Sequence, residues 1–130
     1  MRRVRLAGQL AEPISHYSDA VRVGGWLWIS GMQPVDAAGA LVGAGDVAAQ
    51  AEQVLANVGA VLAAAGASFG DVVRVGVFLT RIADGAGVFE VRRRFFGPSR
   101  PASTLVEVSA LVLPGALVEV EAVAAVPEER

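Results

Sequence analysis

Residues 100–125 read RPASTLVEVSALVLPGALVEVEAVAA. Two alternating, β-branched runs flank a Pro114-Gly115 turn, the first from Ser103 to Val108 and the second from Leu117 to Ala124. Successive side chains of a strand point to opposite faces, so Glu119 and Glu121 share one face of a strand that is otherwise apolar. An unpaired carboxylate is costly to bury. That face is therefore either wet at a subunit edge or the wall of a pocket in which one glutamate works, and Glu119 is read as the pocket residue.

Upstream, Asp84 is placed to cap a helix in which Val88, Val91 and Phe95 form the inner stripe, Arg92–Arg94 face outward, and Gly97-Pro98 ends the element. Asp71–Thr80 alternates as a strand, with Val73, Val75, Val77 and Leu79 on one face. Before it, Asp46 caps and Gly66 ends a longer helix whose apolar positions, from Val47 through Val54, Leu55, Val58, Val61 and Leu62 to Ala65, recur at a period near 3.6. Gly24-Gly25 suits a tight hairpin between Ala20–Val23 and Trp26–Ser30, and Arg3–Leu6 is a further short strand. From Pro127 onward the chain reads as a frayed tail. Two helices can cover one face of such a sheet, yet several strands are apolar on both faces. A second burial partner is implied, and copies of the same chain are the economical one.

At 130 residues with no internal repeat or long linker, residues 1–130 are expected to form one domain. Three absences bound the chemistry. There is no cysteine, which excludes disulfides, thiolate nucleophiles and Cys-ligated zinc. All eleven basic side chains are arginine, so a lysine Schiff base is excluded. The single histidine, His16, cannot build a multi-histidine metal site. No metal and no cofactor are expected. The net charge of -2 does not suggest nucleic-acid binding. No export signal follows the basic start, and Gln50, Glu52, Gln53 and Asn57 interrupt the longest apolar stretch, so a cytoplasmic protein without membrane contact is expected.

An ordered set of short motifs resembles one family. The set is Ile14–Ala20 with Tyr17, Ile29-Ser30-Gly31, Gly45-Asp46 with Ala49-Gln50, Gly70-Asp71-Val72-Val73, Phe95-Phe96-Gly97, Arg100-Pro101-Ala102, Val106-Glu107-Val108 and Val118-Glu119-Val120-Glu121-Ala122. Together they are similar to the Rid (YjgF-type) family, whose name-giving members are reactive-intermediate imine/enamine deaminases and whose members have also been called L-PSP endoribonucleases. The resemblance implies an α+β, chorismate-mutase-like fold: a mixed, mainly antiparallel six-stranded sheet with two helices on one face, assembled as a homotrimer with sites between subunits. It implies that Glu119 positions the attacking water, and that Tyr17, Ser30 and Gly31 complete the pocket; Glu119 and Tyr17 are the catalytic candidates, the Tyr17 phenol being suited to bind or protonate the substrate. The arginine that grips the substrate carboxylate in active members falls at Ser103 here. Leu105 stands where many relatives have cysteine, and Phe89 where familiar members have asparagine. Losing a charged hydrogen bond in a dry site costs roughly 2–5 kcal/mol. The altered lining, Phe89, Ser103, Thr104 and Leu105, is thus expected to disfavour small 2-imino acids and to suit a larger, less anionic, partly aromatic molecule.

Each of these residues also has a plainer role. Glu119 would otherwise be a solvated strand carboxylate, Tyr17 a cover on the core beside the hairpin, Gly31 a strand terminator, and Phe89 part of the core. Ser103 and Thr104 would be ordinary strand hydroxyls. No base is identifiable that would make Ser103 a nucleophile. Arg100 is expected in a loop salt bridge and Arg92–Arg94 on a solvated helix face. The leading expectation is a hydrolase acting on C=N bonds, binding a small imine or enamine. A non-catalytic, ligand-sensing or partner-binding trimer is the alternative, and a ribonuclease a weaker one.

Overall fold

The computed structural model describes residues 1–127; all but Pro127 of the expected tail lies outside the described residues. Six strands run in the order β1 (Arg2–Val4), β2 (Ala20–Val23), β3 (Trp26–Met32), β4 (Val72–Leu79), β5 (Ala102–Glu107) and β6 (Val118–Ala125), with helices α1 (Val47–Ala64) between β3 and β4 and α2 (Gly85–Phe96) between β4 and β5. In the sheet they lie in the order β1-β2-β3-β6-β4-β5. Only β4 and β5 pair in parallel; every other neighbouring pair is antiparallel. This is the two-helix, six-stranded α+β arrangement that the resemblance implies. The runs on either side of Pro114-Gly115 do not pair with each other, because β4 lies between them. A right-handed β4-α2-β5 crossover is the standard way to lay a parallel strand at a sheet edge.

The helices cover one face. Leu27, Ile29, Val75, Val77, Leu79, Val118, Val120, Ala122 and Ala124 point into the core against Val54, Leu55, Val58, Val61 and Leu62 of α1 and Val88, Val91 and Phe96 of α2. Asp46 caps α1 by accepting from the Ala49 amide, and Gly66 takes a positive φ just beyond its end, so both terminal signals hold. Asp84 makes no such side-chain cap on α2 and instead ends a 3-10 turn at Ile82–Asp84. Phe96, not Phe95, completes the buried stripe of α2.

Two polar residues of α1 lie inside. Gln50 is fully buried; its amide donates to the carbonyls of Gly43 (3.2 Å) and Gly115 (3.0 Å), and its oxygen accepts from the Leu117 amide at 2.7 Å. Asn57 donates to the carbonyls of Gln33 and Val35, each at 3.0 Å. Both tie loops to the helix and satisfy backbone groups that burial would otherwise leave unpaired. Although α1 is long and apolar enough to cross a bilayer, its buried side packs on the sheet.

Among the described residues nothing covers the opposite face of the sheet. Val23, Trp26, Trp28, Val73 and Val106 are exposed there beside Glu119, Glu121 and Arg74. Val73 differs from the alternation expected of β4. A register shift between Val72 and Arg74 sends Val72 into the core and Val73 outward. One extra residue in a bulge reverses the facing of its neighbour, which the sequence pattern alone does not reveal.

Candidate active site

β3 and β6 pair with an irregularity between Ile29 and Met32, where three steps on β3 oppose two on β6. This bulge contains Ser30 and Gly31 and pushes their backbone toward Glu119. The approach is close enough that a Cβ on Gly31 would lie 2.4 Å from Glu119 Oε2 and 2.8 Å from its Cδ. Gly31 is not in a positive-φ conformation, and the strand continues past it to Met32. It is therefore needed here for room beside the carboxylate and not to end the strand.

Glu119 is half-buried on the open face of the sheet, opposite Phe78 of β4. Its pKa is pushed up, first by desolvation and further by the charge of Glu121, while a side-chain hydrogen bond with Gln33 pulls the other way. Glu121 is held off by Arg74 at 3.9 Å. The cleft around Glu119 has a volume of about 330 Å³ and is lined by Tyr17, Ser30, Gly31 and Gln33, with Ile14 and Val112 as apolar walls. Tyr17, Gly31 and Gln33 also line the adjoining cavity that reaches to Asn57. The 5–19 segment carrying Tyr17 is fixed by Asp19, which is buried and accepts from Arg5 Nη1 at 2.7 Å and from the Leu6 amide at 2.8 Å. Ser30 donates its hydroxyl hydrogen to the Ser18 carbonyl at 2.7 Å, joining the same segment to β3. His16 is exposed and faces a neighbouring depression.

Four of the sequence candidates, Tyr17, Ser30, Gly31 and Glu119, thus meet in one cleft, and the others do not join them within a protomer. Ser103 and Leu105 pair with Val75 and Val77 and so face the helix side, while Thr104 pairs with Gly76 on the open side. Ser103 and Thr104 are exposed on the edge strand, and Phe89 is exposed on α2, outside the core. Among the described residues Arg100 forms no ion pair, contrary to the salt bridge expected for it. Arg92 does not point to solvent with Arg93 and Arg94 but turns in to donate to Ser103 Oγ at 2.8 Å. Gln33 and Val112 also line the Glu119 cleft without any motif to mark them; Gln33 directly follows β3, and Val112 lies in the loop between β5 and β6. Among the described residues no group of three or more His, Cys, Asp or Glu side chains is arranged to hold a metal.

A family described as Endoribonuclease L-PSP matches residues 8–126. The chain belongs to that family, the Rid (YjgF-type) proteins. Among its relatives, a RutC family protein of Pyrococcus horikoshii is 40% identical over 124 residues, covering 95% of this chain and 98% of that protein. The human 2-iminobutanoate/2-iminopropanoate deaminase is 37% identical over 124 residues, covering 95% of this chain and 90% of the deaminase. The crystal structure of a Thermotoga maritima protein described as a putative endoribonuclease superposes with a TM-score of 0.89 at 39% identity, covering 99% of this chain and 100% of that one. Both the membership and the fold expected of this Rid protein are thereby established, and relatives at this distance are named as imine deaminases.

Proposed function

We propose that this Rid protein hydrolyses a C=N bond in a small imine or enamine, at clefts that form where copies of the chain meet in a homotrimer. The observation that carries the reading is the Glu119 carboxylate pressed against Gly31, half-buried, with a raised pKa. A carboxyl group tuned upward from its ordinary range exchanges protons more readily near neutral pH. In the proposed reaction the water oxygen bonds to the imine carbon as the C=N π bond opens, and Glu119 takes a proton from that water and passes it to the nitrogen. The resulting carbinolamine then passes its hydroxyl proton through Glu119 to the amine as the C–N bond breaks, releasing ammonia and leaving a carbonyl product. Tyr17, whose phenol opens onto the same cleft, and the backbone around Gly31 hold the substrate in place.

The trimer is supported by the uncovered face. Trp26 and Trp28, with Val23, Val73 and Val106, make a large apolar surface that a monomer would leave in water. A neighbouring copy would bury it and bring that copy's Phe89, Ser103, Thr104 and Leu105 edge toward the Glu119 cleft. Ammonia release from freshly generated iminoacids and from bulkier cyclic imines, compared between wild type and Glu119→Gln, tests the reaction. Turnover that falls by two orders of magnitude or more in the variant is the expected outcome. Equal release by the two proteins removes Glu119 from the mechanism, and saturable binding without any turnover favours the ligand-sensing alternative.

A further inference from the structure

Three consecutive arginines on α2 have different environments. Arg93 pairs with Glu90 at 3.2 Å and Arg94 with Glu52 at 3.6 Å, and both are exposed. Arg92 is half-buried, and among the described residues it has no carboxylate partner. Its Nη1 donates to Ser103 Oγ at 2.8 Å, and its guanidinium carbon lies 5.5 Å from the centre of the Phe96 ring. Val88, Arg92 and Phe96 are spaced four apart, so Arg92 lies on the buried stripe of α2, and burial lowers its pKa. A guanidinium so held, fixed by one hydroxyl and one ring, retains donors for an incoming anion.

The groove beside it is built to match. It lies between α2 and the 97–101 segment, has a volume of about 510 Å³, and is lined by Phe89, Arg92, Arg93, Phe96, Ser99 and Arg100, with no carboxylate among the described lining residues. Phe89 is 50% exposed and supplies the ring wall, while Phe96 lies buried beneath Arg92. The groove thus combines the half-buried Arg92, Arg100 without an ion pair among the described residues, Arg93 already paired with Glu90, and one exposed aromatic ring.

We propose that this groove is a binding site for a small organic carboxylate with a ring-sized apolar body, in which Arg92 grips the carboxylate, Ser103 and the buried Phe96 ring position Arg92, and the exposed Phe89 ring holds the body. A planar guanidinium and a carboxylate meet through two parallel hydrogen bonds, and a flat apolar group stacks on aromatic side chains. Ser103 then is not a substitute hydroxyl for a missing cation. It is the anchor of a cation supplied from the helix. The anion recognition expected to be lost from β5 is supplied by α2. Binding of the acid does not depend on the hydrolytic reading; its role as substrate recognition rests on that reading and on the neighbouring copy's Glu119.

The test is calorimetric titration of the assembled protein with benzoate, benzamide, acetate and inorganic phosphate. Benzoate is expected to bind saturably, with acetate at least about tenfold weaker and benzamide undetected. Arg92→Gln is expected to weaken benzoate at least about tenfold, Arg92→Lys to recover part of that loss, and Ser103→Ala to weaken it several-fold. Phe89→Ala, at an exposed position that the fold does not need, should weaken benzoate but not acetate. Glu119→Gln should leave benzoate affinity unchanged, so failure of the hydrolytic reading and failure of this site are separable. Unchanged benzoate affinity in folded Arg92→Gln overturns the proposal. So does benzamide binding as tightly as benzoate, or phosphate binding as tightly, which marks a generic cationic patch.

Discussion

Replacing Gly31 by alanine adds a methyl group where the Glu119 carboxylate lies. The added carbon would sit 2.4 Å from Oε2, against an ordinary carbon–oxygen contact of about 3.3–3.6 Å. Something must move by about 1 Å. The backbone at Gly31 is not in the left-handed region, so alanine itself is conformationally acceptable there. The carboxylate is the end of a flexible side chain, so Glu119 yields before the strand does, at a rotamer cost of about 1 kcal/mol. Thermal stability should therefore fall by only a few degrees. A displacement of about 1 Å at a reacting group can cost about 100-fold in rate, so kcat for imine hydrolysis should fall by that order while KM changes little. Carboxyl NMR gives a reading independent of turnover. As the side chain swings into water, its pKa should drop toward the ordinary range, because desolvation is the leading cause of its elevation. A folded Gly31→Ala protein with wild-type kcat and an unmoved Glu119 pKa would refute the reasoning.

Titration of Glu119 also leaves a mark on stability. Its folded-state pKa lies above the ordinary 4.5. Its stabilising contribution is thus full below the unfolded value and is lost as pH rises through the folded one. Melting temperatures of wild type and Glu119→Gln between pH 4 and 8 should therefore diverge upward through that window, with the variant flatter and the more stable of the two near neutrality. Trp28→Asp puts a charge on the uncovered sheet face and should convert a trimer to monomers in analytical ultracentrifugation without unfolding the chain; a wild-type monomer would sink the assembly. Asn57→Ala removes the donors to the Gln33 and Val35 carbonyls and should cost about 1–3 kcal/mol in denaturant unfolding. It should also lower turnover, since Gln33 hydrogen-bonds Glu119.

What could be read from the sequence was mostly local. Asp46, Gly66 and the period of α1 mark that helix because caps and amphipathicity are properties of a short window. Glu119 and Glu121 share a face because strand alternation is obligatory. Long-range features were hidden. Gln50 and Asn57 look like the polar side of α1, yet both are buried, since the backbone groups they satisfy come from loops remote in sequence. The bulge at Val73 interrupts an alternation that continues unbroken in the letters. The split of the candidate site arises because β6 inserts beside β4 and leaves β5 at the edge, with Ser103 turned to the helix side. Arg92 was grouped with its neighbours as a charge run, although its four-residue spacing from Val88 and Phe96 carried the signal that it belongs on the inner stripe.

The bonds of Gln50 to Gly115 and Leu117 come from α1, on the helix-covered side of the sheet and away from the open face that carries Glu119. They fix the chain two residues before Glu119, so the position of the carboxylate is set from the rear by a buried amide of α1. Selection, or an engineer, can therefore shift the Glu119 carboxylate by altering this hidden mount while the residues that line its cleft stay as they are.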